Sequence, residues 1–128
     1  MAELIHRGLR FQDCVIPEEN NAITWKAFKP AEEQECEGLV PASVFFHGSG
    51  AGLAALFAER AASQFGAASL AEETVARVTD DHCSLVRKEP PTHHAEIRFP
   101  VSAGKTRMKA MQMGLALAST YTPRQARP

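Results

Sequence analysis

The sequence predicts one mixed α+β domain, a mostly antiparallel sheet of about five strands with about three helices packed on it, ordered β-β-β-α-α-β-β-α. Three observations lead there. The chain has 128 residues, the usual size of a single domain, with 45% hydrophobic and 23% charged residues. Apolar residues alternate at a period of two in several short segments, which is the mark of half-buried strands. Elsewhere they recur at spacings of three and four, the mark of helices with one apolar face.

Taken in order, Leu9, Phe11 and Val15 predict a strand over Gly8–Ile16. Pro17–Asn21 reads as a turn, and Ile23, Trp25 and Ala27 predict a second strand, so the two form a hairpin with a five-residue connection. Pro30 ends it, and Ala31–Gly38, with four glutamates, reads as a solvated acidic loop or short surface helix. Ala42–Phe46 is apolar on both faces, as a central strand is. Leu53, Leu56, Phe57, Ala61 and Phe65 predict a helix closed by Gly66. Ser69 and Glu72 have capping-box spacing and predict the start of a second helix through Val78.

Cys83–Lys88 and Ala95–Phe99 predict two strands around a turn at Glu89–Thr92. In the latter, Ala95, Ile97 and Phe99 face one way while His94, Glu96 and Arg98 face the other. Pro100 stops that strand. Lys105–Tyr121 predicts a closing helix with Met108, Met111, Leu115 and Ala118 on one stripe. The domain is thus expected over residues 1–121, with 122–128 a loose tail.

No apolar run approaches the ~18 residues that span a bilayer. The segment Met1–Phe11 also lacks the apolar stretch of a secretion signal. The expectation is a cytoplasmic protein with no membrane partner. Cys14, Cys36 and Cys83 are scattered and odd in number, which suits free thiols rather than a disulfide framework or closed zinc site. Formal net charge is only −1, but it is unevenly spread. Residues 1–64 carry 5 Lys/Arg against 9 Asp/Glu, a net of −4, and residues 65–128 carry 9 against 6, a net of +3.

The most informative stretch is His47, Gly48, Ser49, Gly50, Ala51 and Gly52, between an expected strand and an expected helix. Glycines there let the backbone approach a ligand, and a helix N-terminus offers free N–H groups and partial positive charge to an anion such as phosphate. On His47, Gly50, Gly52 and the closing pair Gly66–Ala67, the segment to Leu70 resembles the coenzyme-A-binding segment of the GNAT acetyltransferases. That resemblance implies a pyrophosphate held by the N–H groups around Gly50–Gly52; His47 stands where the family has Arg or Gln. The same stretch is similar to the oxyanion loop of α/β-hydrolases, whose G-x-S-x-G nucleophile this chain lacks. A packing turn built from small residues also accounts for it.

Asp80, Asp81, His82, Cys83, His93 and His94 are competent metal ligands, but their spacing matches no zinc motif, and no metal is expected. His94, Arg98, Lys105, Arg107 and Lys109 form a candidate basic face for phosphates, including those of nucleic acid. Aromatic residues beyond Phe99 and Tyr121 are too scarce near it for stacking on single-stranded bases. With no triad, metal cluster or paired carboxylates, the functional expectation is a non-enzymatic binding module with a protein partner or a second copy of itself. The alternative is a phosphate- or coenzyme-A-binding protein using the His47–Gly52 loop.

Overall fold

The computed structural model describes residues 3–30, 34–46, 51–88 and 93–124. Within them, strands β1 (Leu4–Gly8), β4 (Leu39–Phe46), β5 (Ala67–Ala71), β6 (Ser84–Arg87), β7 (His94–Pro100) and β8 (Thr120–Thr122) form one six-stranded sheet. Its order is β6-β7-β4-β1-β5-β8, and every neighbouring pair is antiparallel. Strands β2 (Val15–Ile16) and β3 (Ala22–Ile23) pair apart from it as a small hairpin. The helices are α1 (Ala51–Ala58), α2 (Thr74–Val78) and α3 (Lys105–Leu117). The α+β class and antiparallel sheet are therefore as the sequence predicts, with one more strand in the main sheet and a separate hairpin.

The sheet is sandwiched. Ile5 on β1, Val44 on β4, Leu70 on β5 and Ile97 on β7 face one side, where Met111 and Leu115 of α3 complete the main core. Phe45 and Ala67 face the other side and meet Leu56 of α1 in a smaller core. Strand β7 shows why its alternation was readable: Ala95, Ile97 and Phe99 are fully buried, and the residues between them are not. Strand β4 lies between β7 and β1 and is buried on both faces.

Several elements differ from the sequence expectation. The Gly8–Ile16 strand is instead β1, a 3₁₀ turn at Gln12–Cys14, and β2. The chain leaves the sheet at Gly8 because Leu9 drops into the core and hydrogen-bonds Gly66 and Phe65 through its backbone. The expected hairpin and its Pro17–Asn21 connection are present as β2–β3, but the second strand stops at Ile23. Trp25–Phe28 then winds into a 3₁₀ turn that buries Ala27 and Phe28, a neighbouring pair that no strand could send to one face.

Helix α1 stops at Ala58, and Gly66 leads into β5 with φ of 108° rather than capping that helix. The expected helix start at Ser69 is a correction of type: Ser69 lies in β5, paired on both sides, with β1 through His6 and with β8 through Thr120. Its hydroxyl meets His6 Nδ1 at 2.6 Å across the ladder instead of capping a helix. Helix α3 ends at Leu117, four residues early, because Thr120–Thr122 is drawn onto the β5 edge as β8. Arg124 donates to Ser63 Oγ at 2.7 Å, so the chain is held past residue 122.

Candidate functional site

The glycine segment begins where the sequence places it, between a strand and a helix. β4 ends at Phe46 and Ala51–Gly52 open α1. His47, Gly48, Ser49 and Gly50 lie outside the described residues. Gly66–Ala67, the closing pair of the coenzyme-A resemblance, begins a strand.

The five residues of the basic face do not share one face. His94 and Arg98 point from β7 to the α1 side of the sheet, while Lys105, Arg107 and Lys109 ride on α3 on the opposite side. Arg98 donates to Glu96 Oε1 at 3.3 Å, and the His94 ring stands edge-on to Phe45 with centroids 5.6 Å apart. Arg107 donates to His82 Nε2 at 3.3 Å, on a different side of α3 from the two lysines. His82 in turn contacts the Thr79 carbonyl through Nδ1, and Cys83 turns inward with its Sγ 3.7 Å from Met111 Sδ. Among the described residues, no group of His, Cys, Asp or Glu could hold a metal ion.

Lys105 and Lys109 meet a different set of residues, one that sequence reasoning missed. They stand beside a cavity of about 600 Å³ between the start of α3, the Trp25–Phe28 turn and β4. Its floor is Pro30, Val40 and Gln112, all buried. Trp25 and Met108, half-buried, form its walls. Lys29, Lys105 and Lys109 stand exposed at its rim, opposed there by Glu35. The helical period explains the arrangement: positions 105, 108, 109 and 112 fall on one stripe of α3 and so present two cations, a thioether and an amide to one opening.

Three features give this cavity chemical character. Gln112 is only 3% exposed, it lines the cavity, and no side-chain hydrogen bond joins it to another described residue. Its amide is not among the fully enclosed unpartnered groups, and it carries two donors and an acceptor that a ligand in the cavity can meet. The first turn of α3 begins at Gly104 with no side-chain cap and no acidic residue, so its free N–H groups and positive dipole end add to the lysines. Lys109 Nζ lies 4.8 Å from the centre of the Trp25 ring, a cation–π contact that holds the indole and the ammonium together.

The wall is fixed from behind by Arg7. Its half-buried guanidinium donates to the carbonyls of Ala27 (2.9 Å), Lys29 (3.2 Å) and Ser43 (2.7 Å), tying the Trp25 turn to β4. Loss of solvent lowers the Arg7 pKa to about 10, which still leaves it charged at neutral pH. Arg7 is a positioning residue: it holds Trp25 and Lys29 where the cavity needs them.

Two smaller hollows lie on the α1 side of the sheet. One of about 300 Å³ includes Ser43, Phe45 and His94, and one of about 200 Å³ includes Cys36, Glu96 and Arg98. The charge of Arg98 there is already met by Glu96. The Trp25 cavity is larger than either, and among the described residues its rim carries three lysines and one carboxylate. No protein-family model, curated protein or solved structure matches this chain.

Proposed function

We propose that the protein is a non-enzymatic binding module whose ligand is a small organic anion held in the Trp25 cavity. The observation that supports this reading is Gln112, 3% exposed and without a side-chain hydrogen bond to another described residue, at the floor of a cavity rimmed by three lysines. A ligand with an apolar body against Trp25 and Met108, an anionic group at Lys105 and Lys109, and a polar atom at Gln112 would meet these five residues together. Its volume falls in the ordinary range for small-molecule sites, about 300–1,000 Å³.

The test is thermal unfolding with a panel of organic anions: carboxylates, sugar phosphates, nucleotides and coenzyme A. A ligand at 100 times its dissociation constant stabilises by about 2.7 kcal/mol, several degrees for a domain of this size. At least one anion should raise the midpoint by that amount, and the double variant Lys105→Glu, Lys109→Glu should lose the shift. The opposite result is a panel without effect, or a shift that survives the charge reversal. If coenzyme A protects and Gly50→Val abolishes that protection while the double variant does not, the glycine loop is the binding site instead.

A further inference from the structure

We propose that the ligand of the Trp25 cavity is a purine nucleoside monophosphate, with its phosphate at the start of α3, its ring against Trp25 and Met108, and its base edge on Gln112. The inference rests on the binding reading above and names the class of ligand for the same site.

Charge decides the first part. Among the described residues, Lys29, Lys105 and Lys109 face one carboxylate, Glu35, at the rim, and the uncapped N-terminus of the 13-residue α3 adds its own positive end. A phosphate dianion answers that surplus better than one carboxylate does.

Length decides the second. Lys105 and Gln112 are seven residues apart on one helix stripe, about 10 Å along the axis. A nucleotide reaches that far from its phosphate to the outer edge of its base, with a sugar and a planar ring between. The ring would lie beside the indole of Trp25, where stacking and the thioether of Met108 are both favourable to a flat π-system.

The amide decides the third. A glutamine side chain offers a donor and an acceptor side by side, the complement of the adjacent N6 donor and N7 acceptor of adenine. An alkyl chain or an unsubstituted arene at the cavity floor would leave Gln112 buried and unmet. Among small anions, the purine monophosphate matches the charge at the rim, the length of the stripe and the pattern of the amide together.

Trp25 is the sole tryptophan of the chain, so fluorescence excited beyond the absorption of Tyr121 reports on this cavity. The experiment titrates the full-length protein with AMP, adenosine, inorganic phosphate and an aromatic carboxylate, following Trp25 emission. AMP should alter the emission saturably, with adenosine and inorganic phosphate each binding at least about tenfold more weakly. Gln112→Met, close in size and apolar, should weaken AMP by about tenfold or more, the loss expected of one bidentate pair, while leaving phosphate unchanged. Lys105→Ala, at an exposed position that the fold does not need, should weaken AMP and phosphate alike. Binding of the aromatic carboxylate with none of AMP overturns the nucleotide assignment and leaves the anion-binding reading standing. AMP binding that Gln112→Met does not change also overturns it, and so does no response to any of the four, whereas the anion-binding reading falls only if the wider thermal panel is also without effect.

Discussion

Single residues set the tolerances of this fold. Gly8 ends β1 against the turn at Ala61–Ser63, and a Cβ there would run into the Ala62 carbonyl oxygen. Neither side can move away easily, because Ile5 and Leu9 hold the strand in the core while Leu56 packs beside the turn. Gly8→Ala should therefore destabilise by about 2 kcal/mol or more, read as a fall in the unfolding midpoint of roughly 5 °C or more. A midpoint within a degree of the parent would show that this contact is slack. Cys83 carries a second prediction. Burial raises its thiol from 9.0 to about 11, so the folded state favours the protonated form. The stability linked to it is fully present below pH 9 and is lost as pH rises from there through 11. Two pKa units correspond to at most about 2–3 kcal/mol. Cys83→Ala should show a shallower loss of stability between pH 9 and 11 than the parent, measured by urea unfolding at each pH; parallel profiles would contradict the linkage. Such residues were only partly legible in the sequence. Free, scattered cysteines could be read from their spacing, whereas the contact that excludes a side chain at Gly8 forms between segments more than 50 positions apart.

Secondary-structure elements were legible where one face is buried and the other wet. The alternation of His94–Phe99 is that case, and β7 appears where it was expected. Strand β5 was not, because Ala67, Ala68 and Ser69 are small and carry no period, and Ser69 with Glu72 also fits a helix start. Pairing with β1 on one side and β8 on the other outweighs that local preference. Helix α3 shows the same limit in the candidate site. Its stripe of Lys105, Met108, Lys109 and Gln112 was present in the spacing, but nothing local marks Gln112 as buried. Its burial comes from the fold, which sets the start of α3 beside the Trp25 turn and Val40 around one cavity. The glycine segment had the stronger local pattern, and its four residues His47–Gly50 lie outside the described part of the chain. At this scale the site also predicts a trade between stability and binding. Lys105 opens α3 at the positive end of its dipole, where a cation is unfavourable by about 0.3–1 kcal/mol. Lys105→Glu should raise the unfolding midpoint of the ligand-free protein by roughly 1–4 °C and abolish anion binding. A lowered midpoint would mean that the lysine is there for structure.

At the scale of the whole molecule, one sheet separates two surfaces of different character. On the α1 side, Arg98 is matched by Glu96 and His94 lies against Phe45. On the α3 side, Lys29, Lys105 and Lys109 gather around a cavity whose floor holds the Gln112 amide. The α+β class and the antiparallel pairing could be read from periodicity and turn residues. The division of the basic residues between two sides could not, since His94 to Lys109 is continuous in sequence and is parted only by the sheet. No helix among the described residues is long and apolar enough to cross a membrane. The central claim is that binding occurs on the α3 side, and amide NMR on uniformly ¹⁵N-labelled protein tests it most directly. The spectrum contains one indole N–H, that of Trp25, and the side-chain amide of Gln112 can be assigned by its loss in Gln112→Met. On titration with AMP, these two signals should move together and saturate with one dissociation constant, while the backbone signals of His94 and Arg98 stay in place. Movement confined to β7 or to the residues around Gly52, with the Trp25 indole unmoved, would contradict the account.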